Sequence, residues 1–234
     1  MKRLDSFLYE QGYYPSREKA KEAIISARVK VNGKVITKPA YTVEDNAQIE
    51  ALPFKFISRG GFKLQKALEE FKVDLKDKVV VDIGASTGGF TDVCLKNGAK
   101  KVYAIDTGTD QLAESLRKDK RVISFESTNY LTYDKSNFLD ADFAVVDVSF
   151  VSLTKLAEKL SKDFNEIIAL VKPQFECGKD YAKKHKGIVK DEKMHEKILK
   201  NITTVFENVG FILSPIIPSP ILGGDGNKEF LLHA

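Results

Sequence analysis

The chain has 234 residues, 43% of them hydrophobic and 30% charged, with a formal net charge of +4. That composition excludes a disordered or fibrous chain, no apolar run approaches the roughly 20 residues that cross a bilayer, and the N-terminus MKRLDSFLYEQGYY is no signal peptide. The two cysteines, Cys94 and Cys177, make neither a metal-ligand spacing nor a disulfide framework, which fits a cytoplasmic protein.

The charge is uneven. Residues 1–66 hold 13 Lys and Arg against 7 Asp and Glu, while the remainder holds 24 against 26. A basic head on a near-neutral body suits a polyanion such as nucleic acid, although charge alone is equally a solvated face. In the head, Leu4, Phe7 and Leu8 have helical spacing. A second helix follows in PSREKAKEAIISA, with Ser16 as N-cap and Ala20, Ala23 and Ile24 on one face. VKVNGKVI is a hairpin turning at Asn32-Gly33, and AQIEAL is a further strand. The pieces RLD, SREKAKEAI and VKVNGKVITKP resemble the S4 RNA-binding domain, with Ala27 where that family usually has glycine. The resemblance implies a small α+β domain over residues 1–51, with Arg3 and Arg17, then Lys19 and Lys38, facing RNA. Phosphate contacts of that kind position a protein without reading sequence.

Residues 52–58 form a linker whose two phenylalanines, Phe54 and Phe56, predict packing rather than a free tether. Gly60-Gly61 precedes a helix over 62–71, and Arg59 beside it is a further candidate for RNA contact. From residue 59 onward strand and helix patterns alternate. KVVVDIG, KVYAID, RVISF, FAVVDV and EIIALV read as strands. Helices are expected over 89–97, 110–118 and 191–208, and GFILSPII and KEFLLHA close the pattern. The alternation predicts an α/β doubly wound, Rossmann-like sheet over 59–234.

The loop after the first of these strands, DIGASTGGFTD, has Gly84, Gly88 and Gly89 but Ser86 in the middle position of a dinucleotide fingerprint. It also has Phe90 where a P-loop needs lysine. Both phosphate readings weaken, and a nicotinamide oxidoreductase with them. Asp106 ends the next strand 22 residues after Gly84, where an acid accepts ribose hydroxyls. A ribose without phosphate points to S-adenosyl-L-methionine. Its ammonium would lie near Asp82 and its carboxylate at the glycine loop, with Phe90 and Asn129 as further contacts.

Four stretches then carry chemistry: SRGGFKL with Lys63, VVDVSFVSL with Asp147, LVKPQFE with Lys172 and GGDGNKEF with Glu229. Strand C-termini hold ligands in open α/β sheets, so Asp147 and Lys172 belong side by side; the bland alternative for Asp147 is a helix cap. Lys-Asp-Lys-Glu in this order resembles the FtsJ-like 2′-O-ribose methyltransferases. With VDIGASTGGFTD, DQLAESLRKDKRV and the S4-like head, the whole chain is similar to the TlyA/hemolysin A family of ribosomal RNA 2′-O-methyltransferases. The resemblance implies a class I methyltransferase fold, S-adenosyl-L-methionine as donor, no metal, and a cytidine 2′-hydroxyl as acceptor. It also implies Lys172 as favoured base, with Lys63 not excluded by the residues themselves. The chain stops five residues after Glu229. That resembles the shorter branch of the family, expected to modify 23S RNA in the 50S subunit. The competing expectations are a catalytically idle RNA-binding or ribosome-assembly module and a membrane-active hemolysin. The latter wants an amphipathic or apolar inserting segment that the sequence lacks, so no membrane partner is expected. No oligomeric state is assigned. The lysine-rich run GKDYAKKHKGIVKDEK reads either as a loop over an RNA backbone or as a solvated face. Within it His185, like His195 beyond it, has no metal partner at helical spacing.

Overall fold

The structure, a computed structural model, describes every residue except Pro15 and Phe54. It divides between Lys55 and Phe56 into two compact units, and the division falls inside the expected linker. Of the two linker phenylalanines, Phe54 lies outside the described residues.

In the N-terminal unit, β1 (Lys2–Arg3) leads directly into α1 (Leu4–Glu10). Then come α2 (Arg17–Ile25), β2 (Val29–Val31), β3 (Lys34–Val35), β4 (Thr42–Val43) and β5 (Ile49–Ala51). The Ser16 hydroxyl caps α2 by accepting the Lys19 amide at 3.2 Å. Asn32 and Gly33 both take positive φ, +49° and +75°, as a tight hairpin turn requires, and Val31 pairs with Lys34. Ala27, where the related domains favour glycine, has φ +55°. β2 is the centre of a three-stranded antiparallel sheet, while β1 pairs with β4. That second pairing, of two residues each, carries no pattern in the sequence. Leu4, Leu8, Ala20, Ala23, Ile24 and Val29 are fully enclosed, forming one small core.

The larger unit opens with α3 (Gly60–Phe71), followed by β6 (Val79–Ile83), α4 (Gly89–Lys96), β7 (Lys101–Ile105), α5 (Glu114–Arg117) and β8 (Val122–Phe125). Its second half has β9 (Phe143–Val146), α6 (Ala157–Asp163), β10 (Ile167–Val171), α7 (Pro173–Glu176), α8 (Lys179–Lys184), α9 (Glu192–Asn208), β11 (Ile217–Pro218) and β12 (Phe230–His233). Seven strands form one sheet in the order β11-β12-β10-β9-β6-β7-β8, with β12 alone antiparallel to its neighbours. The five parallel strands, β10-β9-β6-β7-β8, are the expected doubly wound halves. They diverge between β6 and β9, the topological switch where such sheets bind ligands.

Strand alternation splits the core in two. Val79, Val81, Ile83, Ala144, Val146 and Ala169 face one layer, with Ile198, Ile202 and Phe206 of α9. Val80, Val102, Val145, Ile168 and Leu231 face the other, with Leu64 of α3 and Val93 of α4. Phe56 is buried in that second layer and meets Phe62 edge-on at 5.1 Å. Two elements are shorter than the pattern predicts. The helix expected over 110–118 is reduced to α5, because Asp110 has φ +54° and cannot lie in a helix. The strand expected in GFILSPII is reduced to β11, where Pro215 and Pro218 lack the amides a ladder needs.

Candidate active site

Two cavities share a wall at the C-terminal edge of this sheet. The larger, about 420 Å³, is lined by Ile83, Asp106, Asn129, Phe150 and Leu156 among others. The smaller, about 250 Å³, is lined by Arg59, Lys63, Phe90, Lys172 and Gly224 among others. Gly84, Ser86, Asp147 and Ser149 line both.

The glycine loop builds that wall. The amides of Gly84 and Ala85 donate to the Ile105 carbonyl at 2.8 and 3.1 Å, turning the chain sharply out of β6. Gly84 has φ +87°, and a Cβ there would stand 2.7 Å from the Asp147 carbonyl oxygen. Only glycine lets the loop pass under the end of β9. The Ser86 amide donates to one Asp106 oxygen and the Gly108 amide to the other, each at 2.7 Å. Two backbone donors thus fix the Asp106 carboxylate on the lining of the larger cavity, with lone pairs left for a vicinal diol. Asn129 Oδ1 accepts the Leu131 amide at 3.0 Å, which leaves its NH₂ as the free donor. Gly84, Asp106 and Asn129, with the apolar wall of Ile83, Ile105 and Leu156, suit a nucleoside with an attached polar chain. Ser86 bounds both cavities, and Phe90 bounds the smaller one only.

The four charged candidates form two ion pairs. Asp147 and Lys172 follow β9 and β10, which run parallel with Val146 beside Ala169. Lys172 Nζ lies 2.6 Å from Asp147 Oδ1 and donates to the Ser149 hydroxyl at 2.9 Å. Lys63 stands in the first turn of α3. Its Nζ donates at 2.5 Å to Glu229 Oε2, and their side chains are 8% and 3% exposed. Because β12 runs antiparallel with Phe230 beside Val171, Glu229 reaches the same edge as Lys172. Gly223 gives it room, since a Cβ there would lie 2.5 Å from Glu229 Oε1. Charges this enclosed persist only in pairs.

Three expected site residues take other parts: two line neither cavity, and one braces a loop. Asp82 is fully enclosed and lines neither cavity. It accepts the Thr91 hydroxyl of α4 at 2.6 Å, and its other oxygen has no hydrogen-bond partner among the described residues. Burial pushes its carboxyl up to about 7, with the Thr91 hydrogen bond opposing and the nearby Asp147 charge adding. Set behind the walls of both cavities, it offers a ligand's ammonium no direct contact. Gly88 also lines neither cavity. With φ +93° it caps α4, and a Cβ would meet Leu116 Cδ1 at 2.1 Å, so packing and backbone conformation require it. Arg59 lines the smaller cavity, but its guanidinium donates to the carbonyls of Leu222 and Gly223 and braces the loop ahead of Glu229.

In the N-terminal unit, Arg3 and Arg17 both reach the enclosed Asp5, at 3.0 and 3.1 Å, with roughly half of each side chain exposed. Lys19 pairs with Glu22 at 2.9 Å, and Lys38 is exposed.

Several lining residues escaped the sequence reading. Thr107, Gln111 and Thr128 belong to irregular segments without a pattern. Ser149 and Phe150 stand directly after Asp147, and a polar-aromatic pair at a strand end was their only signal. Phe150 has φ +65°, is 93% exposed, and meets Phe175 of α7 at 5.3 Å. His195 is core: its Nε2 lies 3.0 Å from the Val189 carbonyl and its ring edge meets Phe230. Cys94 is buried in α4. Among the described residues no helix is long and apolar enough to cross a membrane.

The FtsJ-like methyltransferase family matches residues 56–234, and the S4 domain matches residues 2–49. Hemolysin A of Brachyspira hyodysenteriae is 43% identical, over 99% of this chain and 98% of its own length. The 16S/23S rRNA (cytidine-2′-O)-methyltransferase TlyA of Mycobacterium tuberculosis is 36% identical, over 98% of this chain and 88% of its own. The 23S rRNA (cytidine-2′-O)-methyltransferase TlyA of Campylobacter jejuni is 33% identical, over 93% of each chain.

Proposed function

The chain belongs to the FtsJ-like methyltransferase family, with an S4 domain ahead of the catalytic unit, and on that premise we propose that it methylates a cytidine 2′-hydroxyl in ribosomal RNA, in the 23S RNA of the large subunit. One observation carries the reading. A cavity shaped for a nucleoside shares the wall Gly84–Ser86–Asp147–Ser149 with a second cavity that holds two lysines. The first takes S-adenosyl-L-methionine, whose sulfonium supplies an electrophilic methyl group. Asp106 accepts the ribose hydroxyls, and Asn129 supplies a donor nearby. The second cavity takes the acceptor ribose.

A 2′-hydroxyl becomes a nucleophile only as its proton leaves, and the attacking oxygen must approach the methyl carbon in line. Lys172 stands at the shared wall and, as the neutral amine, takes that proton to become the ammonium that Asp147 balances. Asp147 and Ser149 hold its amine in place from two sides. Lys63, held by Glu229, closes the other side and orients the acceptor. The Lys63–Glu229 pair is enclosed, whereas Lys172 and Asp147 stay partly open to the cavity where the acceptor enters. A ribose inside a helix cannot reach this edge with its base stacked, so the base leaves the stack. Phe150, exposed beside Ser149, offers that base an aromatic face. In the S4 domain, Arg3, Arg17, Lys19 and Lys38 contact phosphates. Arg3 and Arg17 do so with the half of each side chain that Asp5 leaves exposed.

Methyl transfer from labelled donor to purified, unmodified 30S, 50S and 70S particles tests this. Label should enter large-subunit RNA, and Lys172→Ala should lower the rate by about 10²- to 10⁴-fold, the contribution of a positioned base. Label in 30S RNA would move the target to the small subunit. No label on any particle, with donor binding intact, would make the chain an RNA-binding module on an idle fold.

A further inference from the structure

Residues 179–190 carry five lysines and one aspartate, and the catalytic chemistry uses none of them. Among the described residues none of these lysines forms an ion pair. Lys183, Lys184, Lys186 and Lys190 are exposed. The segment begins as α8, seven residues after Lys172, and turns back at Gly187, whose φ is +75°. It is not a free tail. The carboxamide of Asn227, 1% exposed, accepts the Val189 amide at 2.8 Å and donates to the Gly187 carbonyl at 2.9 Å. The buried ring of His195 meets the Val189 carbonyl as well. Asn227 belongs to the loop whose Gly224 lines the smaller cavity and which leads two residues later to Glu229. The basic segment is thus docked on the loop that completes the catalytic edge.

An aromatic pair lies within it. Tyr181 of α8 and His185, which caps that helix, stack at 4.1 Å with their planes 17° from parallel. With Lys186, Ile188, Lys190 and Asp191 they line an open groove of about 450 Å³. Unpaired cations track a phosphate backbone, and exposed rings take unstacked bases of any identity; together they are the elements of a single-strand nucleic-acid site.

We propose that residues 181–190 form a second RNA site, in which Lys183, Lys184 and Lys186 contact phosphates and the Tyr181–His185 pair stacks one unpaired base next to the nucleotide being methylated. The site rests on the reading of the catalytic edge as an RNA methyltransferase. It adds a grip, within the catalytic unit itself, on the strand that flanks the acceptor.

Binding of the full chain to transcribed 23S RNA, measured across a salt series, tests it. The triple variant Lys183→Gln, Lys184→Gln, Lys186→Gln should weaken binding at least tenfold. It should also flatten the slope of log K against log salt by about 2, at about 0.7 per phosphate on a single strand. Tyr181→Ala should weaken binding about tenfold with the salt slope unchanged, since stacking releases no counterions. Unchanged affinity in both variants overturns the site, as does a wild-type chain that does not retain the RNA. Unchanged affinity for bare RNA with loss of affinity for whole 50S particles assigns the segment to a ribosomal protein and also overturns it. If the variants behave as expected while the wild type transfers no methyl group, the site stands and the proposed reaction falls.

Discussion

Asp5 in the N-terminal unit and Asp82 in the catalytic unit are each fully enclosed, yet their carboxyl groups are displaced in opposite directions. Asp5 receives hydrogen bonds from the guanidinium groups of Arg3 and Arg17, which outweigh its burial and hold it at about 2. Asp82 has a hydroxyl on one oxygen and no hydrogen-bond partner among the described residues on the other, and burial pushes it up to about 7. Two carboxyl groups closed to solvent thus end as an anion in one region and a group near half-protonation in the other. What differs is the partner, and how deeply protein surrounds each. Glu229, 3% exposed, resembles Asp5 in having a cationic partner, Lys63. The cations in the N-terminal unit serve structure as well as any ligand, whereas those of residues 179–190 are unpaired.

The largest effect expected from this comparison comes from separating a pair. Glu229→Ala leaves the Lys63 ammonium enclosed without a partner and should cost about 3–5 kcal/mol in urea unfolding. Adding Lys63→Met should restore most of that stability while methyl transfer stays lost; a double variant as unstable as the single one would mean the pair is not what holds the edge. Next comes Asp82. Its folded value lies above its unfolded one, so the folded state holds the proton more tightly and stability falls as pH rises from about 4 to 7. Asp82→Asn should remove that fall and gain on the order of 4 kcal/mol above pH 7. Donor affinity by calorimetry should stay near wild type, since Asp82 lines neither cavity. A stability difference that does not change between pH 5 and 8 would show that Asp82 is ionised in the fold. The smallest effect is that of Asp5. Its folded value lies below its unfolded one, so its contribution is fully present above about pH 4 and is lost as pH falls toward 2. Asp5→Asn should cost about 2 kcal/mol at pH 7 and little at pH 2. An equal loss at both would put its value in hydrogen bonding rather than charge.

Much of the catalytic unit was legible because its signals are local. Five apolar runs alternating with helical spacing give the sheet, and a strand that ends in an acid or a lysine announces its C-terminal edge. Asp147 and Lys172 could be placed on that logic, whereas Glu229, which precedes its strand, rested on the family resemblance. The position of Asp82 was also available but was not read. Val79, Val81 and Ile83 share one face of β6, so alternation puts Asp82 with Val80 on the face toward α4. Other features depend on contacts remote in sequence. Arg59 finds its carbonyls at residues 222 and 223, and Gly88 is required by the side chains of Leu112 and Leu116. Neither leaves a local trace. Phe150 reads as one more apolar residue until its positive φ turns it outward. In the small unit the helices and hairpin carried clear signals, but RLD reads as a basic recognition motif and does not show that Asp5 occupies both arginines.

The place of β12 sets an order in time. It enters the sheet between β10 and β11, both made before it, and it brings Glu229 to a lysine 166 positions earlier. As the polypeptide leaves the ribosome, the S4 domain and five parallel strands emerge first, with one side of β10 still unpaired and apolar along Ile168 and Leu170. Such an edge recruits other strands until its own partner arrives. The Lys63–Glu229 pair therefore forms only after β10 and β11 are made, and a translation pause before β12 leaves the edge of β10 open to other strands.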